Sequence, residues 1–256
     1  MPRFVHYIEA GEARWARLDG DQRTALTAAP WLPECEEGAQ LRSFAPTSWL
    51  APAAPTKVLC VGRNYRAHAA ELGNDVPDEP LMFLKPPSAV IGAGDPILYP
   101  VGQTEVVHHE GELGVVIGRR ARHLTRERAS EAVFGYTLIN DVTARDLQRR
   151  DVQFTRGKGF DTFAPVGPWV DTDFEPDDQR LSVTVNGHIR QQGTLGQMIF
   201  DVYDLLVAMS RVMTLEPGDI IATGTPAGVD VLNPGDVVTV TVEGLGSLTN
   251  PVEAGQ

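Results

Sequence analysis

Glu110 and Glu112 stand two residues apart in HHEGELGVVIG, His108 to Gly118, a segment that ends as a run of apolar strand residues. Successive side chains of a strand point to opposite faces, so the two carboxylates share a face with Gly114, Val116 and Gly118, while Leu113, Val115 and Ile117 line the other. Such a pair repels itself unless a positive group sits between its members or the face is a solvated sheet edge. A hard divalent cation such as Mg²⁺ takes oxygen ligands and keeps waters that a substrate can displace, and it wants a third carboxylate from a neighbouring element. Asp141 offers one at the end of the apolar run VFGYTLIN, where a helix N-cap is the competing reading.

Three more groups have types suited to chemistry. In NYRAHAAELG, helical spacing places His68 and Glu71 at i and i+3 on one face, where a carboxylate can fix the imidazole tautomer and raise its basicity. The competing reading is a solvated surface pair. Lys158 lies between Gly157 and Gly159, whose missing side chains allow a ligand close approach, although loop lysines commonly face water. Thr225 and the backbone of ATGTPAGV form a tight turn that can hold an anion. No P-loop and no GxSxG occurs, and neither cysteine has a plausible histidine partner nearby.

The elements that must position these residues read as mainly β. KVLCVG, PLMFLK, PVGPWV, LSVTVNGHIRQQ, GDIIATG and DVVTVTVEG are short apolar runs between turn residues, and Asn186-Gly187 marks a hairpin. Helices are expected at Tyr65–Leu72, closed by Gly73, around Arg126–Val133, and after Asp201, where Val202, Leu205, Leu206, Met209, Val212 and Met213 recur at helical spacing. Strict strand–helix alternation is missing, so a doubly wound or barrel α/β fold is disfavoured. RFVHYIE and ARWARLDG read as two strands around an EAG turn in a small N-terminal domain, residues 1–55, ending in the linker WLAPAAPT; residues 56–256 form the main domain.

Bulk composition narrows the partners. With 256 residues, 42 % apolar and 22 % charged, the chain can bury one large core. A net charge of −12 argues against nucleic acid or an anionic membrane surface. Cys35 and Cys60 make no disulfide framework, and no signal-peptide core or membrane-length apolar run occurs, which points to the cytoplasm.

Together, VGRNYRAHAAE, EPLMFLKP, HHEGELGVVIG, NDVTARDLQ, GKGF and MIFDVYDLLVAMSRVMTLEPGDIIATGTPAGV closely resemble, in order and spacing, the fumarylacetoacetate hydrolase superfamily from about Val58 to the C-terminus. The likeness is to its short bacterial members, named as acylpyruvate hydrolases, oxaloacetate decarboxylases and 2-hydroxyhepta-2,4-diene-1,7-dioate isomerases. The resemblance implies a β-rich α+β fold, a mixed β-sandwich or roll, and a homodimer. It places Glu110, Glu112 and Asp141 on the ligands for Mg²⁺ or Mn²⁺, and His68 and Glu71 on an acid/base dyad carried by a lid. It implies that Lys158 is catalytic as well as in contact with substrate, holding or polarising the distal carbonyl or carboxylate, and that Arg145, Gln148, Thr225 and Arg63 contact substrate.

The implied reaction begins with a small 2-oxo acid or dicarboxylate chelating the cation, which stabilises an enolate as a neighbouring bond breaks. Cleavage of a C–C bond, by acylpyruvate-type hydrolysis or oxaloacetate-type decarboxylation, is the first expectation. Isomerisation of a hydroxy-dienedioate uses the same residues and is the alternative. A non-catalytic dimeric binding protein is the reading from another class, which loss of a carboxylate or of the dyad would have favoured. The chain departs from its relatives at RRDVQFTRG and at GKGF, where serine is often found, so the substrate is the open part.

Overall fold

In the computed structural model, which describes residues 2–42 and 44–255, the apolar runs pair into two large mixed sheets. The heart of the larger, twelve-stranded sheet runs Ala164–Asp171, Val133–Asn140, Gly111–Ile117, Ile220–Ala222, Val58–Gly62, Leu81–Lys85. Most neighbours are antiparallel, but Ile220–Ala222 lies parallel to Val58–Gly62. The five-stranded sheet orders His188–Thr194, Arg180–Val185, Val237–Val242, Gly246–Ala254 and Ile97–Tyr99. Its leading hairpin turns at Asn186 and Gly187, both with positive φ, as a two-residue turn of this kind requires. The N-terminal strands extend the larger sheet, because Arg3 and Phe4 pair with Asp171 and Val170.

The strand Gly111–Ile117 is the centre of this arrangement and is buried along its whole length. Leu113, Val115 and Ile117 pack with Val183, Val240 and Leu206 between the sheets. Val116 joins Val58, Ile139 and Ile220 on the opposite side. With Val133–Asn140 on one flank and Ile220–Ala222 on the other, the strand has no free edge, which removes the solvated-edge reading of its glutamates. Glycine at 111 is a packing requirement, since a Cβ there would lie 2.3 Å from Val183 Cγ2. Gly111→Ala is expected to push the facing sheets apart and destabilise the fold by about 1–3 kcal/mol. A melting temperature equal to the parent's would contradict that packing.

Helices are few and short. Helix α1, Arg66–Glu71, ends where Gly73 takes φ +68°. Helices α2, Arg145–Arg150, and α3, Thr155–Lys158, follow the strand that carries Asn140. In α4, Val202–Val212, the Asp201 carboxylate accepts from the backbone N–H groups of Tyr203 and Asp204, and Leu205, Leu206 and Met209 face the core. The helical expectation near Arg126 becomes a 3₁₀ helix, Arg126–Ala132. No helix among the described residues is long and apolar enough to cross a membrane.

Candidate active site

Glu110, Glu112 and Asp141 converge where the central strands end, with one ligand oxygen from each lying within 4.8 Å of the others. All three are buried. Asp141 does not cap a helix. The short strand Thr143–Ala144 intervenes before α2, whose N-cap is Ala144, and the Asp141 carboxylate is used elsewhere. It accepts from Lys85 Nζ at 2.6 Å and from Lys158 Nζ at 2.5 Å. Lys158 also donates to Glu110 Oε2 at 2.7 Å, and the Arg145 guanidinium holds Glu110 Oε1. Basic residues distant in sequence therefore do stand among these acids, and Coulomb attraction in this dry pocket is what keeps like charges together.

The electrostatics divide the three carboxylates. Burial opposes ionisation of Glu110, but Lys158 and Arg145 outweigh it and hold its carboxyl well below the usual range. Glu112 is different. It accepts one hydrogen bond, from Gly224 N–H at 2.6 Å, and no cationic side chain of the described residues lies within ion-pair distance. Burial first, then the charges of Asp141 and Glu110, push its carboxyl well above the usual range. An all-oxygen donor set with one uncompensated buried carboxylate fits a hard divalent cation. The lysines show the same balance. Burial lowers Lys85, which has Asp141 as its one carboxylate partner among the described residues and also donates to Val142 O at 2.9 Å. Asp141 and Glu110 together overcome burial at Lys158 and raise it.

A cavity of about 290 Å³ opens on this cluster. Arg63, His68, Glu110, Glu112, Arg145, Gln148, Lys158 and Thr225 line it, with Phe83 and Phe154 as apolar wall. Glu71 and Asp141 sit behind, reaching it through His68 and Lys158. His68 is 5 % exposed, so it is no surface residue, and its Nδ1 lies 3.2 Å from Glu71 Oε2. Because a carboxylate only accepts, the tautomer that satisfies this pair carries its proton on Nδ1 and leaves Nε2 as a base. Glu71 Oε1 accepts from Gly228 N–H at 2.9 Å. The ATGTPAGV turn thus holds anions that belong to the protein, Glu112 through Gly224 and Glu71 through Gly228. Arg63, at the mouth, takes φ +59°, a left-handed conformation uncommon outside glycine.

Two expected substrate contacts also have internal work. The Thr225 hydroxyl donates to Gly111 O at 2.8 Å and accepts from Gln191 Nε2 at 2.7 Å, pinning the backbone between the two glutamates. Gln148 Oε1 accepts from Arg145 Nη1, which orients the guanidinium on Glu110. Gln191 and Lys85 were not singled out by sequence. Gln191 is fully buried and bonds His109, Gly111 N–H, Thr225 and Pro226 O, yet only the hairpin that brings it there gives it meaning. For Lys85 a signal existed, a lysine closing the apolar strand PLMFLK. Lys85→Met is expected to destabilise the fold by roughly 3–5 kcal/mol, the usual effect of removing one partner of a buried ion pair. Thermal unfolding checks this, and an unchanged midpoint would contradict it.

The family model described as fumarylacetoacetate (FAA) hydrolase C-terminal matches residues 57–253. A Bacillus subtilis protein named oxaloacetate tautomerase YisK is 41 % identical over 244 residues, 89 % of this chain and 81 % of its own. The crystal structure of 2-hydroxyhepta-2,4-diene-1,7-dioate isomerase from Mycobacterium marinum superposes with a TM-score of 0.89 at 39 % identity, covering 99 % of both chains. The structure of fumarylpyruvate hydrolase from Pseudomonas aeruginosa, in complex with Mn²⁺ and pyruvate, superposes with a TM-score of 0.75 at 34 % identity over 84 % of this chain and 100 % of that one.

Proposed function

The chain belongs to the fumarylacetoacetate hydrolase family of enzymes, and from that premise we propose that it is a divalent-cation-dependent enzyme that cleaves a C–C bond of a small 2-oxo acid. The convergence of Glu110, Glu112 and Asp141 beside His68 and Glu71 in one cavity is the observation that supports it. A Mg²⁺ or Mn²⁺ ion held by the three carboxylates would supply Lewis acidity at the carboxylate and 2-oxo oxygens of the substrate. In acylpyruvate hydrolysis His68 Nε2 takes a proton from the water whose oxygen adds to the distal carbonyl. The imidazolium, stabilised by Glu71 on Nδ1, gives that proton to the carbon released as the C–C bond breaks. In decarboxylation CO₂ leaves and the same carbon takes up a proton. Lys158 and Arg145, fixed on Glu110, keep positive charge where negative charge develops during bond breaking. Phe83 and Phe154 keep bulk water from one side of the cavity. A homodimer in the cytoplasm completes this reading.

The second reading keeps every residue role and drops the cleavage: a tautomerase or double-bond isomerase in which His68 only shuttles a proton. The names of the Bacillus subtilis relative and of the Mycobacterium marinum structure favour it. The two readings separate on products. Acylpyruvates, oxaloacetate and a hydroxy-dienedioate are incubated with the Mg²⁺-loaded protein and the products identified by mass. Cleavage or CO₂ loss is the expected outcome. A shifted double bond or enol as sole product, with no cleavage of any of them, would install the second reading.

A further inference from the structure

Away from the cavity just described, five arginines fall within the stretch from Arg119 to Arg128, in a chain whose net charge is −12. They do not form a solvated band of matched pairs. Arg126 is taken up by Asp201 and Asp204, at 2.5 Å each. Arg128 meets Glu131 at 3.2 Å, and Arg120 only grazes Glu216 at 3.5 Å. Arg119, Arg122 and His123 have no carboxylate at ion-pair distance among the described residues. Arg119, Arg120, Arg122, His123 and Arg128 line a concavity of about 180 Å³ in which Glu131 is the one acid of the described lining. Arg122 is braced there by donating from Nη1 to Ser210 O at 3.1 Å.

The backbone that presents them is fixed. Ala121 exchanges both hydrogen bonds with Leu215, at 2.9 and 3.0 Å, and Gly118 N–H donates to Ala132 O at 2.7 Å. His123 N–H reaches Ser210 O at 3.0 Å and Leu124 N–H reaches the buried Ser210 hydroxyl at 2.9 Å. His123 is held at φ +52°, which turns the chain around the concavity. Like charges gathered on a rigid loop repel, and a bound oxyanion relieves that repulsion while engaging the flat donor forks of arginine.

We propose that this arginine cleft is a binding site for a compact, multiply charged oxyanion, phosphoryl or polycarboxylate, separate from the carboxylate cavity. Its size suits a small molecule. A long polyanion such as nucleic acid would meet the acidic remainder of the surface and be repelled. Arginine forks serve phosphoryl and carboxylate oxygens alike, so the shared chemistry is the multivalent oxyanion.

Calorimetric titration of the cation-loaded protein with inorganic pyrophosphate and, separately, citrate tests this. Both anions chelate divalent cations, so the parent is compared with Arg119→Gln/Arg122→Gln, which leaves the carboxylate cavity intact, and with Arg14→Gln on a distant strand as control. Saturable binding of at least one anion by the parent is expected, weakening with added salt. The double variant should bind it about tenfold more weakly or worse, the scale of one lost charged hydrogen bond, while Arg14→Gln stays at the parent's affinity. Stronger binding of pyrophosphate marks a phosphoryl ligand and of citrate a polycarboxylate. No saturable binding by the parent, equal affinity in the double variant, or equal loss in the Arg14→Gln control would each overturn the proposal. Turnover enters none of these readouts, so they stand apart from the reaction proposed above.

Discussion

Glu112→Gln is expected to abolish turnover and, unusually for an active-site change, to raise the melting temperature of the metal-free protein. Replacing a group that merely supports a metal ligand costs roughly 10–100-fold in affinity or activity, and loss of a ligating carboxylate should exceed that. The stability gain follows from the site's charges. Burial and the neighbouring Asp141 and Glu110 raise the Glu112 carboxyl well above its ordinary value, so the folded protein favours the neutral form. A carboxyl whose folded value lies above its unfolded value binds more protons when folded, so stability falls as pH rises past the unfolded value of about 4.3. Metal-free parent protein should therefore lose stability as pH rises above about 4.3, to a degree the glutamine variant does not share. Added Mg²⁺ or Mn²⁺ should stabilise the parent and not the variant. Thermal scans across pH, with and without cation, read all of this at once. A variant that melts below the parent in chelator, or that still gains stability from Mg²⁺, would remove Glu112 from the cation's ligands.

His68→Ala separates chemistry from binding. The variant should lose about 10²–10⁴-fold in kcat, the usual worth of a positioned acid/base group. Its cation-induced rise in melting temperature should remain, since His68 is not among the three converging carboxylates. Glu71→Gln should fall between this variant and the parent, because it loosens the tautomer and orientation of His68 without removing Nε2. Undiminished kcat in the alanine variant would mean that the buried His68–Glu71 pair only fastens α1 to the turn at Gly228.

The acids and the dyad were legible in sequence because each rests on short-range spacing. Glu112 lies on the strand Gly111–Ile117 with Glu110 one residue before its start, and His68 and Glu71 lie three apart on a helix, so short-range geometry brings each pair together. Asp141 was ambiguous because a carboxylate after a strand and before a helix is equally a cap, and only the positions of Lys85 and Lys158 decide between them. The pairing of cations with these acids was the blind spot, although Lys158 and Arg145 were themselves legible as site residues. Lys85, Arg145 and Lys158 reach the acids from three separate elements, and no pattern in a single segment announces a contact between residues 56 positions apart. The same holds for the fold. The Asn186-Gly187 turn and the Asp201 cap are local signals and appear as read. The parallel pairing of Val58–Gly62 with Ile220–Ala222 joins distant segments and has no local mark.

Both proposed reactions require cation-assisted proton transfer at the carbon beside a 2-oxo group, with His68 carrying the proton. Proton NMR of pyruvate in D₂O with the Mg²⁺-loaded protein measures it directly, because enol formation exchanges the methyl protons whether or not any C–C bond is cleaved in other substrates. The methyl signal should be lost at a rate well above that of protein-free buffer, stopped by chelator, restored by Mg²⁺ or Mn²⁺, and absent in His68→Ala. Exchange no faster than in buffer, or exchange that persists in chelator or without His68, would contradict it.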